Sequence, residues 1–424
     1  MLAKFIIEGG QALSGSVTIS GAKNAALPIL ASTILSKETI TLHNVPVLAD
    51  ISTMFALLES LGKKITRKDN TVIVEEPNQL GYEAPYDIVS RMRASIAVMG
   101  PLVARLGKAH ISMPGGCNLG PRPIDLHIKG IEALSATCCT AHGYLDVSTP
   151  EQGLIGSAMN LSSKSGSSVL ATENILMAAT LSTGTTIING AAKEPEVVDL
   201  AELLIKMGAK ISGAGTESIT IEGVSKLHGA EHSVVADRIE TGTFIIAAAI
   251  TGGEITINNC VPAHLGEAIR LFREAGIIID IINDTTILVK ANAQKTAVDF
   301  TTLPHPLFPT DLQSQFVAYL TLAEGKSIVI ETIYPDRFMH AAELNRMGAN
   351  ITVDHHSAKI IGVKALSSAS VMSSDLRGGA ALVLAALATK GTSEILRIYH
   401  IDRGYDKFEE KLKKIGANIT RIKE

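Results

Sequence analysis

The feature that most constrains this chain is a phrase that returns at a fixed distance. It reads S-L-G-K-K-I from Ser60, K-M-G-A-K-I from Lys206, E-A-G-I-I-I from Glu274, R-M-G-A-N-I from Arg346 and K-I-G-A-N-I from Lys414. Each copy has the form of a helix closed by a C-cap glycine that leads into a strand. Gly208, Gly276, Gly348 and Gly416 are spaced by 68, 72 and 68 residues, and Gly62 stands 146 before Gly208, two steps of 73. A sixth, degenerate copy therefore belongs near Ser135, in A-L-S-A-T-C-C. Six units of roughly seventy residues account for the whole chain.

The units share an internal order. An apolar, alanine-rich helix, as at 171–181 or 380–388, meets a turn (S-T-G-T-T, A-T-K-G-T-S) and a β-branched strand such as 186–188. A loop follows, then a second helix with an amphipathic pattern, as in Val197-Val198-Leu200-Ala201-Leu203-Leu204, then the phrase and one or two short strands. Such a mixed α/β unit cannot bury its sheet face and both helices alone, so three copies around a shared axis form one domain. Two similar domains are expected. The boundary is expected at Leu227-His228-Gly229-Ala230, giving 22–229 as the first domain and 230–424 as the second. The opening segment 1–21, with a strand at Phe5–Ile7, is assigned to the second.

Composition narrows the function classes. With 46% hydrophobic and 19% charged residues, the 424-residue chain is a soluble globular type, too long for one core of typical size. No window holds about eighteen uninterrupted apolar residues, and the opening M-L-A-K-F-I-I-E-G-G turns polar too soon for a signal peptide. A cytoplasmic protein without a membrane role is the expectation. The four cysteines form no C-x-x-C pair, which argues against a zinc site, any other metal centre or a disulfide framework. The net charge of −4 argues against nucleic-acid partners, although clustered arginines can still hold a small anion.

Chemistry gathers in the loop that follows the first strand of each unit. That loop reads N-V-P-V-L-A-D, P-G-G-C-N-L-G-P-R, A-A-K-E-P-E, N-C-V-P-A-H-L-G, T-I-Y-P-D-R-F-M-H and R-I-Y-H-I-D-R-G-Y in copies one to six. Cys117, Arg122, Arg337 and Arg403 thus hold equivalent positions and are expected to converge on one interdomain cleft. A thiol near a guanidinium can be held partly as thiolate. Lys23, in S-G-A-K-N-A-A-L, and Arg93, in R-M-R-A-S-I, each open a helix, where backbone N–H groups favour an anion. Asp311 and Asp375 begin the corresponding helices of later copies. A carboxylate there can take a proton from an alcohol or can simply be an N-cap. Asp336 and Asp402, next to the arginines, offer the alternative of plain surface ion pairs.

The set S-G-A-K-N-A, R-M-R-A-S-I, P-G-G-C-N-L-G-P-R-P-I-D-L-H, A-D-R-I-E-T-G-T-F, F-P-T-D-L-Q-S-Q-F, D-R-F-M-H, D-L-R-G-G-A-A-L and Y-H-I-D-R-G-Y-D resembles the enolpyruvyl transferases, in the branch that acts on UDP-N-acetylglucosamine. The resemblance spans nearly the whole chain. It implies a two-domain inside-out α/β barrel, each domain three βαβαββ repeats about a pseudo-threefold axis. It also implies transfer of the enolpyruvyl group of phosphoenolpyruvate to the 3-hydroxyl of UDP-N-acetylglucosamine with release of phosphate, toward bacterial peptidoglycan, with no cofactor. By the same resemblance, Cys117 is the proton donor to the methylene carbon, able to form a covalent adduct and to be alkylated by fosfomycin. Lys23, Asn24, Arg122 and Arg403 would hold phosphoenolpyruvate. Asn24, Arg93, Arg122, Pro123, Ile124, Asp125, Leu126, Ser168, Val169, Asp311 and Ile333 would contact the nucleotide sugar. Asp311 would act on the sugar hydroxyl, with Lys23, Arg403 and Asp375 also in the catalytic set and Arg337 and Arg377 completing it. The run L-S-S-K-S-G-S-S-V-L-A-T at 161–172 departs from the family's S-V-G-A-T, with Leu170 for a glycine and a longer approach that includes Lys164. The alternatives are the sister transferase acting on shikimate 3-phosphate, which lacks the cysteine loop, and a non-enzymatic clamp-like ring.

Overall fold

Each of the five phrase glycines sits in the left-handed region, with φ of 104° at Gly62, 101° at Gly208, 96° at Gly276, 88° at Gly348 and 94° at Gly416. Ser135 joins them at φ 72°, so the degenerate sixth copy makes the same helix-to-strand turn without the residue that makes it easily. These turns come from a computed structural model that describes residues 3–113, 124–163 and 166–423. Cys117, Arg122, Pro123 and Lys164 lie outside the described residues.

Six four-stranded sheets share one topology among the described residues. In the fifth copy, strand Phe300–Thr302 runs parallel to Lys326–Glu331, which pairs antiparallel with Ser357–Ile361, itself antiparallel to Asn350–Asp354. The chain order is strand, buried helix, strand, helix, two strands, the βαβαββ unit the repeat predicts. Alternation sets the faces. In Lys326–Glu331, Ser327, Val329 and Glu331 are buried while Lys326 and Ile328 face out.

The first helix of each unit is the opposite case. Ala380 to Leu387 of helix Leu376–Ala388 are all buried, as are nearly all residues of Arg238–Thr251 and Gln313–Leu320. A helix apolar on every side must lie inside. Three such helices pack on one another in the second of the two domains, and Lys23–Ser32, the continuous run of the turn Arg93–Val98 and helix Met99–Leu106, and Val169–Ala179 do so in the first. The sheets wrap outside, each with one face to solvent, which is the inside-out α/β barrel. Gly100 permits the close approach of two central helices, since a Cβ there would lie 2.1 Å from the Asn174 carbonyl oxygen.

Each of the two domains, called the first and second unit below, has its own hydrophobic core and borrows strands across the sequence. The N-terminal strand Ala3–Gly9 sits between Gly391–Leu396 and the C-terminal strand Asn418–Lys423, completing the sixth sheet. Ser14–Thr18 pairs with Glu254–Asn258 of the fourth copy. Conversely, Glu231–Ser233 pairs in parallel with Ile40–His43 and completes the first sheet. The division therefore falls at Ser20/Gly21 and Val235/Ala236, and the boundary expected at 229/230 must move past this strand. Its physical reason is that the first sheet needs a fourth strand and takes it from beyond the third copy.

Candidate functional site

In the first unit the site residues are set by the ends of the central helices. Lys23 opens helix Lys23–Ser32 and its Nζ lies 2.8 Å from Asp50 Oδ2, with side chains only 12% and 5% exposed. Lys23 is thus a buried, paired cation rather than a solvated surface group. Gly21 allows this entry, because a Cβ there would stand 1.8 Å from the Asn44 carbonyl oxygen. Pro28 in the helix cannot donate to the carbonyl of Asn24, one turn before it.

Arg93 starts the short 3₁₀ turn Arg93–Val98 and lies electrostatically close to His127. His127, on helix Asp125–Ala133, is buried. Burial, reinforced by Arg93, lowers its pKa to about 3, so it is neutral. Asn174 Nδ2 reaches His127 Nδ1 at 3.1 Å and donates to the Ile96 carbonyl at 2.8 Å, while its Oδ1 accepts from Gly100 N at 2.5 Å. One amide thereby ties three elements together. Ile124 is part of the core, Asp125 is exposed in the first turn of its helix and Leu126 is half-buried. Ser168 caps helix Val169–Ala179, accepting from Ala171 N at 3.4 Å. The lengthened approach to that helix is a two-stranded hairpin, Ser162 opposite Ser167. Sequence reasoning passed over Glu173, which is 1% exposed. Burial, then Glu196 and Glu194, drives its carboxyl well above the usual range, so it is a neutral acid.

In the second unit one chain of polar contacts leads to Asp311. Glu331 ends strand Lys326–Glu331 fully buried. Its Oε1 accepts from Ile333 N at 2.8 Å, Tyr334 N at 3.0 Å and Thr302 Oγ1 at 2.7 Å, and its Oε2 from Thr310 Oγ1 at 2.9 Å. Glu331 therefore shapes the loop that carries Ile333 and Arg337. Arg337 Nη1 donates to Thr310 Oγ1 at 2.8 Å and to Asp311 Oδ1 at 2.7 Å, and Arg377 Nη2 donates to Asp311 Oδ2 at 2.9 Å. The Arg377 side chain is 2% exposed, that of Arg337 5% and that of Asp311 20%, so the carboxylate is the member of the trio that a ligand can reach. Burial would raise the Asp311 pKa, but Arg377 and Arg337 overcome it and hold the carboxyl well below the usual range.

The bland alternatives divide. Asp311 lies in the turn Thr310–Leu312, where no side chain caps the helix, and it serves the two arginines instead. Asp375 is an N-cap, its Oδ1 accepting from Arg377 N at 2.9 Å and Gly378 N at 3.0 Å. Arg337 pairs with Asp311 and not with its neighbour Asp336, and Asp402 is engaged by Arg421 at 2.6 and 2.9 Å rather than by Arg403. Arg403 ends the turn Ile398–Arg403, half-buried. Cys260, in the fourth copy's equivalent loop, is buried and its thiol is pushed up to about 11 by that burial, which marks it as inert. Asp50 was missed because its partner Lys23 lies on an earlier element, and Glu331 because its side chain serves the backbone of its own loop and the hydroxyls of Thr302 and Thr310. Among the described residues, no group of three or more His, Cys, Asp or Glu side chains has the geometry to hold a metal ion. Nor, among the described residues, is any helix long and apolar enough to cross a membrane.

The family model for EPSP synthase (3-phosphoshikimate 1-carboxyvinyltransferase) matches residues 7–412. The chain belongs to this enolpyruvyl transferase family. Within the family, it is 51% identical over 422 residues to UDP-N-acetylglucosamine 1-carboxyvinyltransferase 2 of Carboxydothermus hydrogenoformans, covering 99% of this chain and 100% of the relative. It is 52% identical over 421 residues to UDP-N-acetylglucosamine 1-carboxyvinyltransferase of Magnetococcus marinus, covering 99% of each. Among enolpyruvyl transferase structures, NikO from Streptomyces tendae matches with a TM-score of 0.89 at 24% identity over 99% of both chains. EPSP synthase from Acinetobacter baumannii matches at 0.78 and 19% over all of both. At these identities the structures speak for the fold. Membership in the family removes the clamp-like ring.

Proposed function

We propose that this protein is a UDP-N-acetylglucosamine 1-carboxyvinyltransferase, moving the enolpyruvyl group of phosphoenolpyruvate to the sugar 3-hydroxyl and releasing phosphate. The observation that carries the reading is full-length identity near one half to relatives of that name, 51% and 52% in the two cited. It favours this acceptor over shikimate 3-phosphate, although the family model bears the sister enzyme's name. The further cell-wall role follows from that activity.

In this reading the residues singled out in the sequence serve one reaction. Cys117 delivers a proton to the methylene carbon of phosphoenolpyruvate, leaving an oxocarbenium-like centre at the neighbouring carbon. Lys23, Asn24, Arg122 and Arg403 hold the phosphate and carboxylate, and the fixed cations stabilise phosphate as it leaves. Arg93, the 122–126 run, Ser168, Val169 and Ile333 receive the nucleotide sugar. Asp311 orients the hydroxyl. A carboxylate held so far below its usual range is a weak base toward a neutral alcohol. Once the oxygen has begun to bond to the cationic carbon, however, its proton is strongly acidic, and even Asp311 takes it. Proton transfer therefore accompanies attack rather than preceding it. Loss of a proton from the new methyl group and of phosphate restores the double bond.

Phosphate release tests the assignment. Wild-type protein should release phosphate from phosphoenolpyruvate with UDP-N-acetylglucosamine and not with shikimate 3-phosphate, and Cys117→Ser should lose most of that activity. Release with shikimate 3-phosphate alone would move the protein to the sister activity.

A further inference from the structure

Asn174 lies inside helix Val169–Ala179, completely buried, where its helix propensity is poor and an apolar side chain would fill the space more cheaply. Its amide is nevertheless fully matched. Oδ1 accepts from Gly100 N at 2.5 Å, and Nδ2 lies 2.8 Å from the Ile96 carbonyl oxygen and 3.1 Å from His127 Nδ1. The amide cannot be turned over, since that would set its NH₂ against the Gly100 N–H and its oxygen against the Ile96 carbonyl. Both Nδ2 hydrogens are therefore given to acceptors, and His127 Nδ1 has to be the accepting nitrogen. The ring proton then resides on Nε2.

The packing around the amide is made for these contacts. A Cβ on Gly100 would stand 2.1 Å from the Asn174 carbonyl oxygen, and one on Gly130 2.4 Å from the Ile175 side chain. Two glycines thus let helices Met99–Leu106 and Asp125–Ala133 close on helix Val169–Ala179 at Asn174 and at its neighbour. The elements joined are those that begin with residues expected at the nucleotide sugar. Arg93 opens the turn that holds Ile96 and runs on into the helix of Gly100. Residues 124–126 lead into His127, and Ser168 and Val169 start the helix of Asn174 itself.

We propose that Asn174 is a positioning residue for the nucleotide-sugar contacts: by holding His127 in its Nε2–H tautomer together with the Ile96 and Gly100 backbone, it keeps Arg93, the 124–126 segment and Ser168 in one fixed arrangement. Its consequence for binding rests on the enolpyruvyl-transfer reading, whereas the tautomer does not.

The test uses His127→Leu, which removes the acceptor, and His127→Asn, whose amide oxygen takes the place of Nδ1 and restores it. His127→Leu should raise KM for UDP-N-acetylglucosamine about 10-fold, with kcat and KM for phosphoenolpyruvate changed less than about 3-fold. His127→Asn should recover most of that loss. Loosened packing alone would lower the melting temperature and the yield of folded protein without this split. Asn174→Asp keeps the acceptor for Gly100 N and sets a carboxylate oxygen opposite His127 Nδ1, so it should raise the same KM. Nitrogen NMR of protein labelled in its histidine rings reads the tie without substrates. The His127 signals, identified by their loss in His127→Asn, should show an unprotonated Nδ1 and a protonated Nε2 in wild type, and a protonated Nδ1 in Asn174→Asp. A wild-type His127 with its proton on Nδ1, or on both nitrogens, overturns the proposal whatever the activity. A wild-type KM in His127→Leu, or equal losses in His127→Leu and His127→Asn, overturns it as well. A wild-type protein that does not turn over UDP-N-acetylglucosamine would instead remove the reaction assigned above and leave the ring spectrum to decide.

Discussion

Burial alone would drive the Asp311 carboxyl toward its neutral form, and the two guanidiniums more than reverse this. The linkage to stability follows from that direction. With a folded pKa below the unfolded value of 3.8, the group contributes stability that is present above that value and is lost as pH falls through the folded one. Removing a guanidinium raises the folded pKa and brings the loss to higher pH. Arg377→Met should therefore shift acid unfolding, followed by circular dichroism, to higher pH than wild type, and Asp311→Asn should abolish the difference between the two backgrounds. An unchanged acid midpoint in Arg377→Met would show that Arg337 alone sets the charge state. The candidate aspartate itself was readable from its place at the start of a repeat. Its partners Arg337 and Arg377 were readable as cations, but the contacts were not, since 26 and 66 residues separate them from Asp311.

At the scale of the element, the repeat phrase marks a turn with a positive φ, and the arithmetic of its spacing found that turn at Ser135 where the glycine is missing. An L-residue in this region costs about 1 kcal/mol relative to glycine. Ser135→Gly should stabilise the protein by about that amount in urea unfolding, while Gly208→Ser should destabilise it comparably. No gain in the first variant would mean that a local contact of Ser135 offsets its backbone strain. What spacing could not reveal was the borrowing of strands. Glu231–Ser233 is three residues long, with only His232 buried, too short to show a period. It is identified by its partner Ile40–His43, nearly two hundred residues earlier, and by His232 Nε2 against Asp199 Oδ1 at 2.8 Å. Glu331 was illegible too, because nothing local distinguishes it from other polar residues near the ends of strands.

At the scale of the whole molecule, the termini belong to one sheet, where Ala3 stands opposite Lys423 and Phe5 opposite Arg421. Phe5 and Ile7 from this strand are fully buried in the core of the second unit. A permuted chain that joins the termini by a short linker and opens at the exposed turn His355–His356 should fold with near-native circular dichroism and activity, whereas removal of residues 1–9 should cost several kcal/mol. A truncated protein as stable as the parent would contradict the strand's place in the sixth sheet. In the proposed reaction the sugar oxygen adds before phosphate is eliminated, and running it in D₂O and taking the mass spectrum of the nucleotide-sugar product tests that order of events. If the methylene carbon becomes a methyl group in the intermediate, the product's vinyl methylene should carry deuterium, with phosphate released in equal amount. A fully turned-over product with no deuterium would rule out protonation of the methylene carbon.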